Sequence, residues 1–490
     1  MTLGKELNAI EIPSGIRFRL VRGLADDRVL PVAPKTSWPD TIRSILADYN
    51  WLGVYDFRGR LIEVSVTGRS GSGSGSRLNA AASMVMPQLL DYRTRSTQRR
   101  PARYRDYPRD SVYPVTVDLA HLRQMARGER LAVRLPGGSY SLVHDNTWTH
   151  PNGDISWVAY TDTPTGKMHR AVLTLGRAGT LNGQISTPAG LYYLESDASG
   201  PWLVDMKATG FRRSPFDPVA HRWPSVPAEA RKNAGEFRSG AAALSAQSPV
   251  SGPSAIDAAG KVSVDVLVLH TANRSRILTT RINTLMALAN QALSDSGAAV
   301  YLNLAAVRKS SASTRSANDW ALDRLTEGQA PFRPVPRWRA AAGADIVLLL
   351  RPFQPRAQGY YCGEAWVNGS GGSELTPDLA FGVVSYGQAD GYFCSTYTLA
   401  HEVGHTLGAT HDRAHAHQSG VFDFAYGYGI PGRFGDIMSY YDPEIGLYAN
   451  PALTECDGLP CGVAAGQPNA ADVVGTFNQT AAPVSAFMSR

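Results

Sequence analysis

Cysteine is scarce in this chain. Its 490 residues contain four, Cys362, Cys394, Cys456 and Cys461, and none precedes residue 362. No two of them have the CxxC spacing that would support a cysteine-based zinc site. We expect two disulfides, Cys362–Cys394 and Cys456–Cys461, although four cysteines allow three connectivities. Disulfides would indicate an oxidising compartment, the periplasm or the cell exterior.

Long apolar stretches are also missing. No run of residues is apolar and long enough to span a membrane, and residues 1–20 lack the apolar stretch of a secretory signal peptide. This second absence conflicts with the expected disulfides. Either a signal peptide has been removed, or export uses a route that needs no cleaved signal. In both cases we expect a secreted or periplasmic protein.

Charge is divided unevenly along the chain. Residues 1–261 carry 33 Lys and Arg against 23 Asp and Glu, whereas residues 262–490 carry 15 against 19. A basic N-terminal half fits an intramolecular inhibitor held on an acidic domain, and it fits a basic targeting arm equally well. Seven arginines lie within residues 91–110. No nucleic-acid-binding motif accompanies them, so we expect a solvated linker and no nucleic-acid partner.

The most informative motif is the twelve-residue stretch HEVGHTLGATHD, which begins at His401. Residues four apart share one face of a helix, so His401 and His405 can present their imidazoles to a single Zn²⁺. Gly408 permits the sharp turn that ends the helix and brings His411 to the same ion. Three imidazoles leave one coordination position open, which is typical of a catalytic zinc, and Glu402 can act as general base.

A second motif, DIMSY, spans residues 436–440. Together with HExxHxxGxxHD, it resembles the zinc site and Met-turn of the metzincin endopeptidases. The resemblance implies hydrolysis of peptide bonds with Glu402 as the base. It also implies Met438 as a hydrophobic floor beneath the imidazoles and Asp412 as a structural residue. Tyr440 would either stabilise the oxyanion or be an ordinary packed aromatic.

Within this clan, the chain resembles bacterial peptidyl-Asp metalloendopeptidases and reprolysin-like enzymes over about its last 230 residues. The supporting residues are CGEAWV from Cys362, FGVVSYG from Phe381, and YFC from Tyr392. The resemblance implies an edge strand above the zinc that binds the substrate backbone by strand addition. We expect that strand at Ala365, Trp366 and Val367. A preference for aspartate would need a basic pocket, for which Arg413 and Arg433 are candidates.

The pattern of apolar residues predicts an α/β catalytic domain over residues 262–490. Apolar, β-branched runs predict strands at 262–269, 300–307 and 344–350, and helical spacing predicts a helix at 277–293. With the edge strand and the zinc helix, these elements form a metzincin-like upper lobe with a mixed sheet. After His411 the chain is rich in Gly, Tyr and Pro, so we expect an irregular lower lobe with a late helix near residues 470–477.

The regions upstream of residue 262 are predicted to be separate modules. Short alternating strands with turn signals predict a mostly antiparallel β module over residues 115–206, which resembles the propeptides of bacterial metzincins. A Pro/Ser/Ala-rich linker follows at 207–261, and a flexible basic linker precedes the module at 71–114. Residues 1–70 form a small α/β unit, with a helix at 40–49 and a strand at 61–66.

These observations predict a zinc endopeptidase that acts on protein or peptide substrates. We expect it to be made as a latent proenzyme, with its own N-terminal region as the inhibitor. The alternative is a secreted effector or toxin. In that case the N-terminal half is a delivery module that binds a secretion apparatus or another partner.

Overall fold

The computed structural model describes residues 2–20, 23–29, 38–47, 49–55, 61–69, 87–92, 98–216, 260–271 and 276–488, apart from 164, 178 and 198. These residues belong to two compact units, Met1–Val85 and Met86–Arg490. Of the expected linkers 71–114 and 207–261, residues 71–86, 93–97 and 217–259 lie outside the described ranges. No helix in the described part of the chain is long and apolar enough to cross a bilayer.

The first unit is a small α/β fold. Its helices and strands are α1 (Leu3–Ser14), β1 (Arg17–Leu20), α2 (Trp38–Ile45), β2 (Tyr49–Tyr55) and β3 (Leu61–Arg69). The strands lie in the order β1-β3-β2, with β1 parallel and β2 antiparallel to β3. Leu3, Leu7 and Ile10 lie on one face of α1 and are buried in its core. Sequence analysis did not predict α1, and the helix expected at 40–49 ends earlier because Tyr49 begins β2.

The second unit begins with a nearly closed antiparallel barrel. Its strands are β4 (Leu90–Tyr92), β5 (Val112–Val117), β6 (Arg130–Leu135), β7 (Gly138–Thr149), β8 (Ile155–Thr161), β9 (Arg170–Leu175), β10 (Leu181–Thr187), β11 (Gly190–Asp197) and β12 (Gly200–Asp205). They are ordered β4-β5-β12-β11-β10-β9-β8-β7-β6. Backbone hydrogen bonds of Ala132 with Pro87 and Leu89 bring the two end strands together. Short helices α3 (Leu119–Gln124) and α4 (Met206–Thr209) complete it.

The basic stretch between β4 and β5 is not a solvated linker where the structure describes it. Tyr104 is buried against Trp202 and Val112, because residues 98–114 pack on the outside of the barrel. Arg100 donates hydrogen bonds to backbone carbonyls of residues 107–109. Arg103 pairs with acidic side chains of β11. Arg103 therefore holds the segment on the barrel, whereas Arg100 stabilises the fold of the segment itself.

The predicted protease domain follows, and its mixed sheet confirms the predicted fold class. Its main elements are β14 (Val262–His270), α5 (Arg276–Asp295), β15 (Val300–Lys309), α6 (Asn318–Thr326), α7 (Val335–Ala342), β16 (Ile346–Pro352), β17 (Gly363–Ala365), β18 (Phe381–Tyr386), α8 (Thr398–Thr406) and α9 (Val473–Val484). The five strands are ordered β15-β14-β16-β18-β17. Only β17, at the edge, runs antiparallel to its neighbour among these described strands.

Short strand pairs complete the domain and connect it to the chain that follows the barrel. They are β13 (Arg212–Arg213), β19 (Gln388–Ala389), β20 (Tyr392–Phe393), β21 (Gly429–Ile430) and β22 (Phe434–Gly435). Strand β13 comes directly after the barrel, yet it pairs with β20 of the protease domain. The lower lobe is largely irregular, as predicted. The late helix α9 begins after Asp472, which accepts a hydrogen bond from the backbone N–H of Gly475 at 2.7 Å.

The barrel packs directly on helix α5 of the protease domain. Val158 and Val172 of the barrel belong to the same buried cluster as the apolar face of α5. Arg170, with 2% of its side chain exposed, donates hydrogen bonds of 2.7 Å to Asp145 and to Asp295 at the end of α5. Arg281 of α5 donates to Glu195 at 2.5 Å. The barrel is therefore fixed to the protease domain by apolar packing and buried ion pairs.

Candidate metal centre

Helix α8 places two of the three predicted histidines. It is buried along its whole length, so His401 and His405 face the protein interior one turn apart. Nδ1 of His401 lies 2.7 Å from the carbonyl oxygen of Ile437, and Nδ1 of His405 lies 2.9 Å from that of Ala409. A carbonyl oxygen only accepts, so each Nδ1 carries the proton. Each Nε2 is therefore the atom with the lone pair.

The donor set fits a metal ion. The Nε2 atoms of His401 and His405 are 3.1 Å apart, and with both protons on Nδ1 neither can donate to the other. His411 joins them, and one ligand atom from each ring lies within 4.8 Å of the other two. All three side chains are buried. Three converging neutral imidazoles are the ligand set of a catalytic zinc, and carbonyl contacts to the opposite ring nitrogens are the usual support for such ligands.

Gly408 makes the turn that brings His411 back, as the sequence predicted. Its φ is +93°, a left-handed conformation that favours glycine. A methyl group at this position would also lie 2.7 Å from a methyl carbon of Val421. The helix ends just before Gly408, and the chain then runs extended to His411.

Glu402 is fully buried beside the histidines. Its carboxylate lies against Gly363 of the edge strand, where a methyl group would overlap Oε1 of Glu402. The same methyl group would approach the carbonyl oxygen of Val383 to 2.7 Å, so the backbone prevents relief on that side. Gly363 therefore provides the space that Glu402 occupies. Gly363 lies in the CGEAWV motif, but the motif alone did not predict this role.

The Met-turn residues surround the histidines from below and from one side. Met438 is fully buried, and a methyl group on Gly404 of the zinc helix would overlap its sulfur. Met438 thus lies directly against the helix, where a hydrophobic floor was expected. Asp412 accepts hydrogen bonds from the Ser439 hydroxyl at 3.1 Å and the Tyr440 backbone N–H at 3.0 Å. Asp412 thereby ties the third ligand loop to the Met-turn.

Tyr440 lies beside the third ligand. Its hydroxyl is 3.4 Å from Nε2 of His411, and the two rings are 4.7 Å apart. The phenol therefore points toward the metal centre, where an oxyanion stabiliser would have to be. His415 lies between Asp412 and Tyr440, with Nδ1 at 2.8 Å from Oδ1 of Asp412. Its ring is one-third exposed.

The edge strand lies slightly earlier in the chain than predicted. Strand β17 ends at Ala365, and the side chains of Ala365, Trp366 and Val367 are buried. Trp366 packs in the core behind the sheet and donates a hydrogen bond to the Thr326 hydroxyl at 2.8 Å. The edge strand thus begins at Gly363, two residues before the stretch that was expected to bind substrate.

Both expected disulfides are present. Cys362 pairs with Cys394 and Cys456 with Cys461, and none of the four cysteines is free. The first joins the start of the edge strand to the end of β20. The second closes a short loop in the lower lobe.

A segment from the end of the barrel crosses the metal centre. We call residues 211–216 the covering segment. Its β13 strand pairs with β20, and its last two residues accept hydrogen bonds from the backbone at the start of the edge strand. The backbone N–H of Cys362 donates to the carbonyl of Pro215 at 2.9 Å, and that of Gly363 donates to the carbonyl of Phe216. The Phe216 ring stacks on His401, with the ring centroids 4.2 Å apart. Phe216 is 1% exposed.

Arg213 anchors the covering segment. Its guanidinium lies 2.9 Å from Oδ1 of Asp442 and 3.3 Å from Oε1 of Glu444. It also donates to the backbone carbonyls of Tyr440 and Tyr441, each at 3.4 Å. Arg213 and Phe216 were not predicted as site residues, because the Pro/Ser/Ala-rich composition around them predicted a linker. No local signal marks them, since the side chains that they contact at the metal centre, His401, Asp442 and Glu444, are more than 180 residues away.

The two candidates for a basic pocket have other partners. Arg433 pairs with Asp457 at 2.6 Å. Arg413 donates to the carbonyls of Asp423 and Ala470 and lies 3.9 Å over the ring of Tyr426. Both guanidinium groups are thus held by hydrogen bonds within the lower lobe. This removes the support for either as an aspartate-binding group.

Comparisons with known proteins agree with this geometry. Residues 262–466 match the reprolysin-like metallopeptidases of family M12B, and residues 92–209 match the BamI lipocalin-like domain. A peptidyl-Asp metalloendopeptidase of Pseudomonas aeruginosa is 31% identical over 48% of this chain and 41% of its own length. A protein of the same name from Stenotrophomonas maltophilia is 25% identical over 75% of this chain and 85% of its own.

A solved structure shows more distant similarity. Metalloproteinase-II from Bacteroides fragilis is 13% identical over 68% of this chain and 92% of its own, with a TM-score of 0.39. The chain thus spans less than half the length of the Pseudomonas relative and most of the Stenotrophomonas one. The two regions matched by family models coincide with the barrel and the protease domain.

Proposed function

Because the chain carries a reprolysin-like metallopeptidase domain of the metzincin type, we propose that it is a zinc-dependent endopeptidase, exported and made as a latent proenzyme. His401, His405 and His411 would hold the ion. When bound, zinc supplies Lewis-acid polarisation of the scissile carbonyl and lowers the pKa of water. The substrates are proteins or peptides. The two disulfides support an extracytoplasmic location.

The chain's own side chains supply the proton transfers. Glu402 is buried next to the ligands and is positioned to take a proton from the attacking water and pass it to the leaving amine. Gly363 keeps this carboxylate close to the edge strand, where the scissile bond would lie. The phenol of Tyr440 is positioned to donate a hydrogen bond to the oxyanion.

Latency is supported by one observation above all: Phe216 stacks on His401. The covering segment also occupies the backbone N–H groups of Cys362 and Gly363, which a substrate strand would need. A substrate therefore cannot reach the edge strand while the segment is in place. The buried ion pairs between the barrel and α5 favour an inhibitory module over an independent domain on a tether, because they fix the point from which the segment departs.

The experiment compares the full chain before and after cleavage between residues 217 and 259, a stretch that contains Arg231, Lys232 and Arg238. We expect hydrolysis of a short fluorogenic peptide to rise at least tenfold after cleavage and release of the barrel. Phe216→Ala should raise the activity of the uncut chain, whereas Tyr140→Ala, in strand β7 of the barrel, should not. Equal activity before and after cleavage would favour the alternative, an effector whose N-terminal half serves delivery.

The name of the relatives raises aspartate as a cleavage preference for this chain. Nothing in the described lower lobe supports it, because Arg413 and Arg433 are bound to other groups. We therefore propose endopeptidase activity without carrying the aspartate preference over from the relatives.

Gly363→Ala should separate the role of Glu402 from metal binding. The added methyl group would displace the Glu402 carboxylate, since the carbonyl of Val383 blocks the other direction. We expect turnover by the cut chain to fall by about tenfold or more, because a general base contributes on the order of 10²–10⁴-fold. Zinc content, measured by atomic absorption, should stay near one ion per chain. Loss of zinc together with activity would contradict this role of Gly363.

A further inference from the structure

The groups that surround the guanidinium of Arg213 have the features of a ligand pocket. Four oxygen acceptors converge on its guanidinium: the carboxylates of Asp442 and Glu444, and the carbonyls of Tyr440 and Tyr441. The side chain of Arg213 is 14% exposed and that of Glu444 is 10% exposed, so this ion pair is largely shielded from water. Asp442 lies at the rim of the pocket, with 70% of its side chain exposed. The pocket belongs to the protease domain, whereas its occupant belongs to the segment that precedes it.

A hydrogen bond holds the Glu444 carboxylate of the pocket in one orientation. The Ser395 hydroxyl donates to Oε2 of Glu444 at 2.5 Å and leaves Oε1 directed at Arg213. Burial raises the pKa of Glu444, while Arg213 and Ser395 act in the opposite direction. When the covering segment leaves, a buried carboxylate and two carbonyl oxygens lose their cation. An uncompensated buried charge is strongly unfavourable, so a cationic replacement would bind there.

The pocket also lies next to the reacting centre. The carbonyl of Tyr440 lines it, and the hydroxyl of the same residue is 3.4 Å from Nε2 of His411. The Arg213 guanidinium lies 5.2 Å from the ring of Phe216, which stacks on His401. A substrate that followed the path of the covering segment would therefore place one side chain here, close to the bond that is cut.

We propose that Asp442, Glu444 and the carbonyls of Tyr440 and Tyr441 form a specificity subsite for a basic substrate side chain, which Arg213 occupies in the uncut chain. The inference rests on the proposed endopeptidase function and names its substrate class. Arginine fits better than lysine, because separate guanidinium nitrogens reach the two carboxylates. A lysine ammonium group would carry the same charge but could not contact both carboxylates in this way. An acidic side chain would be rejected by the two carboxylates.

The test digests a peptide library with the cut chain and records which residues occupy each position around the cleaved bonds. We expect arginine, and more weakly lysine, to be enriched at one position. In Glu444→Gln and in the double variant Asp442→Asn/Glu444→Gln, the preference for arginine over alanine should fall on the order of 30-fold. Truncating one partner of a buried charge pair weakens binding by at least that much. The control Asp457→Asn removes a carboxylate that pairs with the half-exposed Arg433, and it should leave the profile unchanged.

A peptide probe covers the case in which the variants fold poorly. The peptide Phe-Arg-Arg-Ser-Pro-Phe, which copies residues 211–216, should inhibit the unaltered cut chain. Its analogue with alanine in place of the second arginine should inhibit on the order of 30-fold more weakly, and the lysine analogue should fall between them.

The outcomes separate the two proposals. Cleavage with no basic enrichment, with enrichment of acidic residues, or with enrichment unchanged in Glu444→Gln would overturn the subsite and leave the endopeptidase intact. Equal inhibition by the arginine and alanine peptides would overturn it as well. No cleavage by either the uncut or the cut chain would overturn the endopeptidase proposal and the subsite with it.

Discussion

Replacing Glu402 by Ala should abolish most peptide hydrolysis while leaving the metal centre in place. Glu402 is fully buried but is not one of the three ligands, so the histidines keep their carbonyl partners Ile437 and Ala409. Turnover by the cut chain should fall by about 10²–10⁴-fold, the usual contribution of a general base. The measurement is kcat together with zinc stoichiometry.

Two companion variants make the Glu402 result specific. Glu402→Gln keeps the volume against Gly363 and should lose as much activity as Glu402→Ala, because the amide cannot take the proton. Glu374→Gln changes an exposed glutamate of the same domain and should have no effect. Near-normal turnover in Glu402→Ala would show that Glu402 is not the general base.

Replacing Arg170 by Met should strongly destabilise the chain and release its latency. Arg170 is almost fully buried and pairs with both Asp145 and Asp295. Its loss leaves the Asp295 carboxylate without a cation and leaves Asp145 with only the exposed Arg127. Removing one partner of a buried pair costs about 3–5 kcal/mol in unfolding free energy. Because Asp295 lies on α5 and Arg170 on the barrel, part of this loss should appear as weaker docking. Denaturant unfolding and the peptide hydrolysis of the uncut chain measure the two effects.

Arg127 offers a matched control for Arg170, because both arginines pair with Asp145. Arg127 also pairs with Asp145, at 3.1 Å, but its side chain is 80% exposed. Arg127→Met should change the free energy of unfolding by less than about 1 kcal/mol, as exposed ion pairs do. The triple variant Arg170→Met/Asp145→Asn/Asp295→Asn should recover much of the lost stability, because it removes the unpaired charges. Similar effects from Arg127→Met and Arg170→Met would contradict the buried-pair explanation.

The covering segment occupies the same edge strand and acidic pocket that we propose for a substrate. In the uncut chain, the covering segment places Phe216 on the ligand His401 and Arg213 in the acidic pocket. After cleavage and release, the same strand positions and the same pocket become available to a substrate. The inhibitor would then report the specificity of the enzyme, since both use the edge strand and the carboxylates of Asp442 and Glu444.

The sequence alone determined the metal centre and the core of the protease domain. His401, His405 and Gly408 act through short-range geometry: one helical turn and one left-handed residue, both of which are visible in local spacing. The buried strands β14 and β16 were predicted for a similar reason, since a strand covered on both faces is a continuous apolar run. The two disulfides were expected because four cysteines fall in one domain, although the number of cysteines alone allows three connectivities.

Only the tertiary structure decided what lies over that centre. Arg213 and Phe216 sit in a stretch whose composition indicates a linker, and their meaning comes from Glu444 and His401, about 190–230 residues later. The boundary of the edge strand was set in the same way, because Trp366 turns into the core to reach Thr326. Such contacts depend on how separate elements pack, and local periodicity carries no information about them. Arg213 anchors the covering segment because tertiary packing buries its side chain beside Asp442 and Glu444.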